Sequence, residues 1–212
     1  MHHVFLTGGT GYLGARIAER LVARGHEVRA LARPGSEGRL PPGCRVVPGD
    51  ALDYRTYAAQ VAPCDTLVHL VGVSHPGPAK AALFRTVDVA SVREALAAAG
   101  LGVRHFVYVS VAQPAPIMTA YWTARAEAEE LIRANGLDAT ILRPWYVLGP
   151  GHWWPVVLIP LYGLASLVPS TRDSARRLGL VRVGQMIRAL VETVEHPPTG
   201  TRALEVADIR NY

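Results

Sequence analysis

Lysine is nearly absent from this chain: Lys80 is the only one among 22 basic residues, the rest being arginine. The arginines are scattered, and no basic–aromatic stripe runs along a helix pattern. The formal charge of +5 therefore argues for solubility rather than nucleic-acid binding. Cysteine is scarce as well. Cys44 and Cys64 are the only two, which excludes a disulfide framework and fits free thiols in a reducing cytoplasm. The eight histidines show no zinc-ligand spacing, so no metal is expected. The apolar start "VFL" is too short for a signal-peptide core and runs directly into glycines. No apolar run reaches the roughly 20 residues of a spanning helix. The nearest, "WWPVVLIPLYGLASLV" at 153–168, is broken by Pro155, Pro160 and Gly163. Burial or a pocket wall is the reading for it, Trp153 and Trp154 included, with a peripheral lipid or protein contact left open.

What is present is a substantial apolar complement: half of the 212 residues are hydrophobic and 18% are charged, enough for one domain with a sizeable core. The pattern alternates strand and helix. Strands are expected at "HVFLT" (3–7), "EVRAL" (27–31), "RVVPGD" (45–50), "TLVHLVG" (66–72), "HFVYVS" (105–110) and "ATILRP" (139–144). Helices are expected over about 12–23, closed by Gly25, then 54–61 behind an Asp53 cap, 79–99, 119–135 and 184–195. Such alternation predicts an α/β fold with a doubly wound parallel sheet and right-handed crossovers. After Pro150 the regularity weakens. Residues 151–212, ending in a further strand candidate "RALEVA", read as an extension over the C-terminal strand ends, forming part of a pocket on the substrate side of a single domain.

Chemistry enters at "TGGTGYLG" (7–14), between the first strand and the first helix. Gly9, Gly11 and Gly14 satisfy G-x-G-x-x-G, and Gly8, Gly11 and Gly14 an alternative spacing. The glycines serve a tight turn, close backbone approach to a pyrophosphate and close helix–strand packing, with the anion held by N–H groups at the helix N-terminus. Gly8, Thr10, Gly11, Tyr12, Leu13 and Gly14 are the cofactor-binding candidates. At the end of the second strand an acid would accept from the ribose 2′-hydroxyl of NAD; here Arg33 stands instead, suited to the 2′-phosphate of NADP. NADP is the expected cofactor, with NAD as the alternative.

With these residues placed, the chain resembles the short-chain dehydrogenase/reductase superfamily, in its extended and atypical NAD(P)H-binding branch, which includes NmrA-like regulators and complex I accessory-subunit-like proteins. "PGDALD" (48–53) is similar to the segment after the third strand, which implies Asp50 beside the adenine. "HLVG" (69–72), with Val71 and Gly72, takes the place of the fourth-strand end, though without the usual Ala-Gly. "VYVS" (107–110) matches the strand bearing the family's active-site serine, here Ser110. "LRPWYVLGPG" (142–151) matches the Arg-Pro strand end beside the nicotinamide, implicating Pro144. The resemblance covers residues 1–151 well and the tail loosely.

In catalytic members a Tyr-x-x-x-Lys pair does the acid/base work; the corresponding residues are Tyr121 and Arg125. A neighbouring cation favours an ionised phenol, but arginine neither copies an ammonium's compact contact nor relays protons at ordinary pH. At about 100° per residue Tyr121, Arg125, Ala128 and Ile132 share one stripe, so Arg125 sits on the apolar face, facing either a cofactor or an ion-pair partner, with Glu129 the local candidate. Ser110 is read either as a substrate contact or as a strand-end satisfier of backbone groups, and Asp88 as a helix-capping, solvated residue. Two functions follow: an NADP-dependent oxidoreductase or related epimerase, with Tyr121 as acid/base, Ser110 orienting the substrate oxygen and Arg125 orienting the ribose; or a non-catalytic NAD(P)H-binding regulator or accessory subunit of a larger or membrane-associated complex.

Overall fold

The computed structural model describes residues 1–100, 102–153, 157 and 177–212. Its centre is a parallel sheet built from β1 (His3–Thr7), β2 (Glu27–Ala32), β3 (Arg45–Pro48), β4 (Thr66–His69), β5 (His105–Val109), β6 (Asp138–Leu142) and β9 (Thr201–Leu204). The strands lie in the order β3-β2-β1-β4-β5-β6-β9, every neighbouring pair parallel. Two further strands, β7 (Tyr146–Leu148) and β8 (Leu180–Arg182), pair separately.

The period-two alternation of strand side chains divides the core. Val4, Leu6, Val68, Val107 and Leu142 face one layer, packed against Ile17 and Leu21 of α1 (Tyr12–Ala23) and Met186 and Leu190 of α6 (Val183–Glu195). Phe5, Leu67, Phe106 and Ile141 face the other, with Val61 of α2 (Ala58–Val61), Val92 of α4 (Ala90–Ala99) and Ile132 of α5 (Thr119–Asn135). Both faces are covered, which is why β4 is buried at every position. The expected strands, helices α1 and α5, and the glycine stop of α1 are found, Gly25 at φ +81°; Gly136, at φ +82°, closes α5 in the same way.

Five expectations change. The strand expected over 66–72 ends at His69, because at Leu70 the chain passes under the glycine loop. The expected 54–61 helix is a 3₁₀ turn, Tyr54–Thr56, followed by the short α2; Asp53 does accept from the Arg55 N–H at its start. The expected 79–99 helix is a 3₁₀ turn (Pro78–Lys80), α3 (Ala81–Leu83), a wide π turn over Phe84–Val89 and then α4. The residues after Pro150, assigned from sequence to the substrate side, also extend the sheet itself: β9 pairs with β6, α6 packs on α1, and α7 (Val206–Arg210) follows. The apolar segment 153–168 lies outside the described residues apart from Trp153 and Val157. Expected in core or pocket wall, Trp153 is instead 58% exposed, and Val157 75%.

Candidate functional site

The strand order reverses around β1: the chain moves outward through β2 and β3, then crosses to β4 on the other side. In such sheets the crevice outside the carboxyl ends of the strands at this switch point is where ligands bind. The glycine loop lies there. Gly8 adopts φ +72°, and a Cβ on it would stand 2.8 Å from the carbonyl carbon of Leu70, so the loop rests directly on the backbone leaving β4. The Gly11 N–H donates to the Gly8 carbonyl at 3.0 Å and forms the turn. A Cβ on Gly14 would overlap the Gly8 oxygen and lie 2.7 Å from Gly9 Cα; only glycine lets α1 start this close to β1. The N-terminus of α1 has no side-chain cap and no acid in its first turn. Its free N–H groups and helix dipole suit an anion, so the loop fits a dinucleotide pyrophosphate.

A cavity of ≈ 200 Å³ opens beside the loop. Its wall combines Gly8, Gly11, Tyr12, Leu13 and Gly14 with Leu70, Gly72 and Val73 after β4, Val109 and Ser110 at the end of β5, and Tyr121 and Arg125 from α5. The loop and the three catalytic candidates thus share one space. Thr10, Val71 and Pro144 do not line it; Pro144 is buried, its carbonyl accepting from the Ala112 N–H at 2.9 Å. Arg33, immediately after β2, and Asp50, after β3, are exposed and do not line this cavity. Among the described residues none hydrogen-bonds or pairs with the Arg33 guanidinium, while Asp50 accepts from the Leu52 N–H at 3.0 Å.

Arg125 is 6% exposed. Its Nη1 donates to the Tyr108 hydroxyl and the Val109 carbonyl, both at 3.1 Å, and its guanidinium lies 5.4 Å from the Tyr121 ring centre and 5.6 Å from that of Tyr108. Burial pushes the Tyr108 phenol up to about 12, against the opposing pull of the cation. The carboxylate facing Arg125 is Asp88, with Nε–Oδ2 at 3.4 Å. This corrects two expectations. Glu129 is not its partner, because helix side chains lean towards the N-terminus and carry Arg125 back over Tyr121, away from residue 129. Nor is Asp88 a solvated cap: it is fully buried, and Oδ1 accepts from the Val73 N–H at 2.8 Å.

Glu129 serves another centre, which sequence reasoning missed. Fully buried, it accepts from Ser110 Oγ at 2.6 Å, Gln113 Nε2 at 2.7 Å, Arg143 through Nε and Nη2, and Arg133 at 2.8 Å. Burial alone would raise its carboxyl pKa, but the bonds from Arg143 and Ser110 outweigh it and hold the group below the ordinary range. Ser110 therefore commits its single proton to Glu129 and offers only lone pairs elsewhere. The signal was faint: Glu129 borders the inward stripe, and Arg143 sits where an apolar strand ends. His69 is also buried beneath the loop, bonded to Thr7 Oγ1 at 2.8 Å and Ser91 Oγ at 3.1 Å, with burial driving its pKa to about 3.

A family model described as NAD(P)H-binding matches residues 8–150. A ceramide reductase of Caulobacter vibrioides is 26% identical over 98% of this chain and 65% of its own length. A 3-diazoavenalumate denitrifying reductase of a Streptomyces species is 30% identical over 97% of this chain and 75% of its own. The chain thus spans roughly two thirds to three quarters of these relatives' length. Among solved structures, the Bordetella bronchiseptica enzyme WbmH in complex with NAD+ superposes with a TM-score of 0.72 at 22% identity, covering 97% of this chain and 75% of that one. That likeness is one of fold.

Proposed function

This chain belongs to the NAD(P)H-binding family within the extended short-chain dehydrogenases/reductases, and on that footing we propose that it is an NADP-dependent oxidoreductase, or a related epimerase, acting on a small apolar carbonyl or alcohol. The observation that carries the reading is the single cavity in which the glycine loop meets Ser110, Tyr121 and Arg125. A bound dinucleotide supplies the hydride donor or acceptor. The chain does the rest. The α1 N-terminus and glycine loop hold the pyrophosphate, and Arg33 takes the 2′-phosphate. Tyr121 exchanges a proton with the substrate oxygen, and the fixed positive charge of Arg125 lies 5.4 Å from its ring centre. Leu70, Val73 and Val109 on the wall suit an apolar substrate, in keeping with a relative named for ceramide.

A specific observation favours a second reading, a non-catalytic NAD(P)H-binding regulator or accessory subunit. The Ser110 proton is committed to Glu129, so the serine cannot donate to a substrate oxygen, and arginine replaces the proton-relaying lysine. Titration calorimetry with NADPH and NADH tests the cofactor claim. NADPH is expected to bind tighter, and Arg33→Ala to weaken NADPH by about tenfold, the loss of one charge-assisted contact, with NADH unchanged. Tighter NADH binding would remove Arg33 from the argument. NADPH consumption in a screen of aldehydes, ketones and quinones separates the two readings: binding without turnover across the screen favours the second.

A further inference from the structure

The cavity holds a buried ion pair whose geometry is unfinished. Arg125 Nε and Asp88 Oδ2 are both enclosed, face each other at 3.4 Å, and have no hydrogen-bond partner. Asp88 is nevertheless held: Oδ1 accepts from the Val73 N–H, which ties the carboxylate to the loop lining the cavity. The wide π turn at Phe84–Val89 turns Asp88 inward, and such turns recur at functional sites. On the opposite edge of the guanidinium, Nη1 is fixed by Tyr108 and Val109. Nη2 is left. No hydrogen bond takes it among the described residues, and it lies over Gly72, where a Cβ would overlap it and stand 3.4 Å from Asp88 Oδ1. Gly72 and Arg125 both line the cavity.

We propose that Asp88 is a positioning residue of this site: acting through Arg125, it fixes the Nη2 donor at the cavity wall, and Gly72 is the gap through which that donor reaches a cofactor hydroxyl or phosphate oxygen. The inference rests on the cofactor reading above. A buried guanidinium with one edge clamped by β5 and the other by a carboxylate cannot swing, so Nη2 is pre-organised and little side-chain entropy remains to be lost on binding. Without Asp88 the cation keeps its Tyr108 and Val109 contacts but is free to rotate about them.

The experiment is a double-mutant cycle on the NADPH dissociation constant, read by quenching of protein fluorescence, with thermal melts to confirm folding. Asp88→Asn preserves shape and the acceptor for Val73. It is expected to raise the Kd about tenfold, in line with the loss of a charge-assisted contact, and to have no effect when introduced into Arg125→Met. Gly72→Ala is expected to weaken binding at least as much in the wild-type background and not in Arg125→Met; it keeps the question answerable if Asp88→Asn does not fold. An unchanged or lower Kd in folded Asp88→Asn, an equal loss in both backgrounds, or wild-type affinity in Gly72→Ala would overturn the positioning role. Failure of the wild type to bind either nucleotide would instead overturn the cofactor reading, and this proposal with it.

Discussion

Gly14 is the residue at which the candidate site is least forgiving. A methyl group there meets the backbone of Gly8 and Gly9, and backbone cannot step aside as a side-chain tip can. Gly14→Ala is expected to cost about 1–3 kcal/mol of stability, the range for overpacking, and to abolish NADPH binding by pushing α1 off the loop. Urea unfolding and a nucleotide titration check both halves, and a stable variant with normal affinity would refute the packing argument. This requirement was legible in the sequence, because the glycine spacing follows from local geometry. The inward stripe of Tyr121 and Arg125 was legible for the same reason. The partner of Arg125 was not. Asp88 lies far along the chain and reaches Arg125 only through the tertiary fold, so reasoning limited to helix neighbours turned to Glu129.

At the scale of elements, Glu129 makes α5 a hub. It ties that helix to the end of β5 through Ser110 and to the end of β6 through Arg143, and Arg143 reaches on to Glu205, the N-cap of α7, at 2.7 Å. Because the folded-state carboxyl is held below its ordinary value, the hub's contribution is fully present above the unfolded glutamate pKa of about 4.3. It is lost as pH falls through the lower folded value. Glu129→Gln is expected to destabilise by about 3 kcal/mol at pH 7, as when a buried pair loses one member, and to flatten the stability loss below pH 4. Denaturant melts across that range test it; an acid limb as steep as in wild type would locate the titration elsewhere. Element boundaries were readable where a glycine marks them, as Gly25 does for α1. The π turn inside the 79–99 helix and the three-residue strands β7 and β8 were not: the former leaves a helical side-chain pattern in place, and the latter pair across a long span of sequence.

The whole molecule is a doubly wound sheet whose strand order opens a crevice at β1 and β4, and the alternation of strand and helix patterns was enough to foresee it. Less visible was the dual use of the tail, since β9 completes the sheet edge by pairing with β6, a long-range choice that four residues of sequence do not specify. With the fold in place, chemistry converges on one cavity in which Tyr121 is a half-buried phenol beside a fixed cation. The most direct test compares wild type with Tyr121→Phe for NADPH affinity and for NADPH oxidation in the presence of a ketone that the wild type reduces. The predicted result is unchanged affinity with turnover reduced about 10²–10⁴-fold, the usual worth of a positioned acid/base. Wild-type turnover in Tyr121→Phe would contradict it.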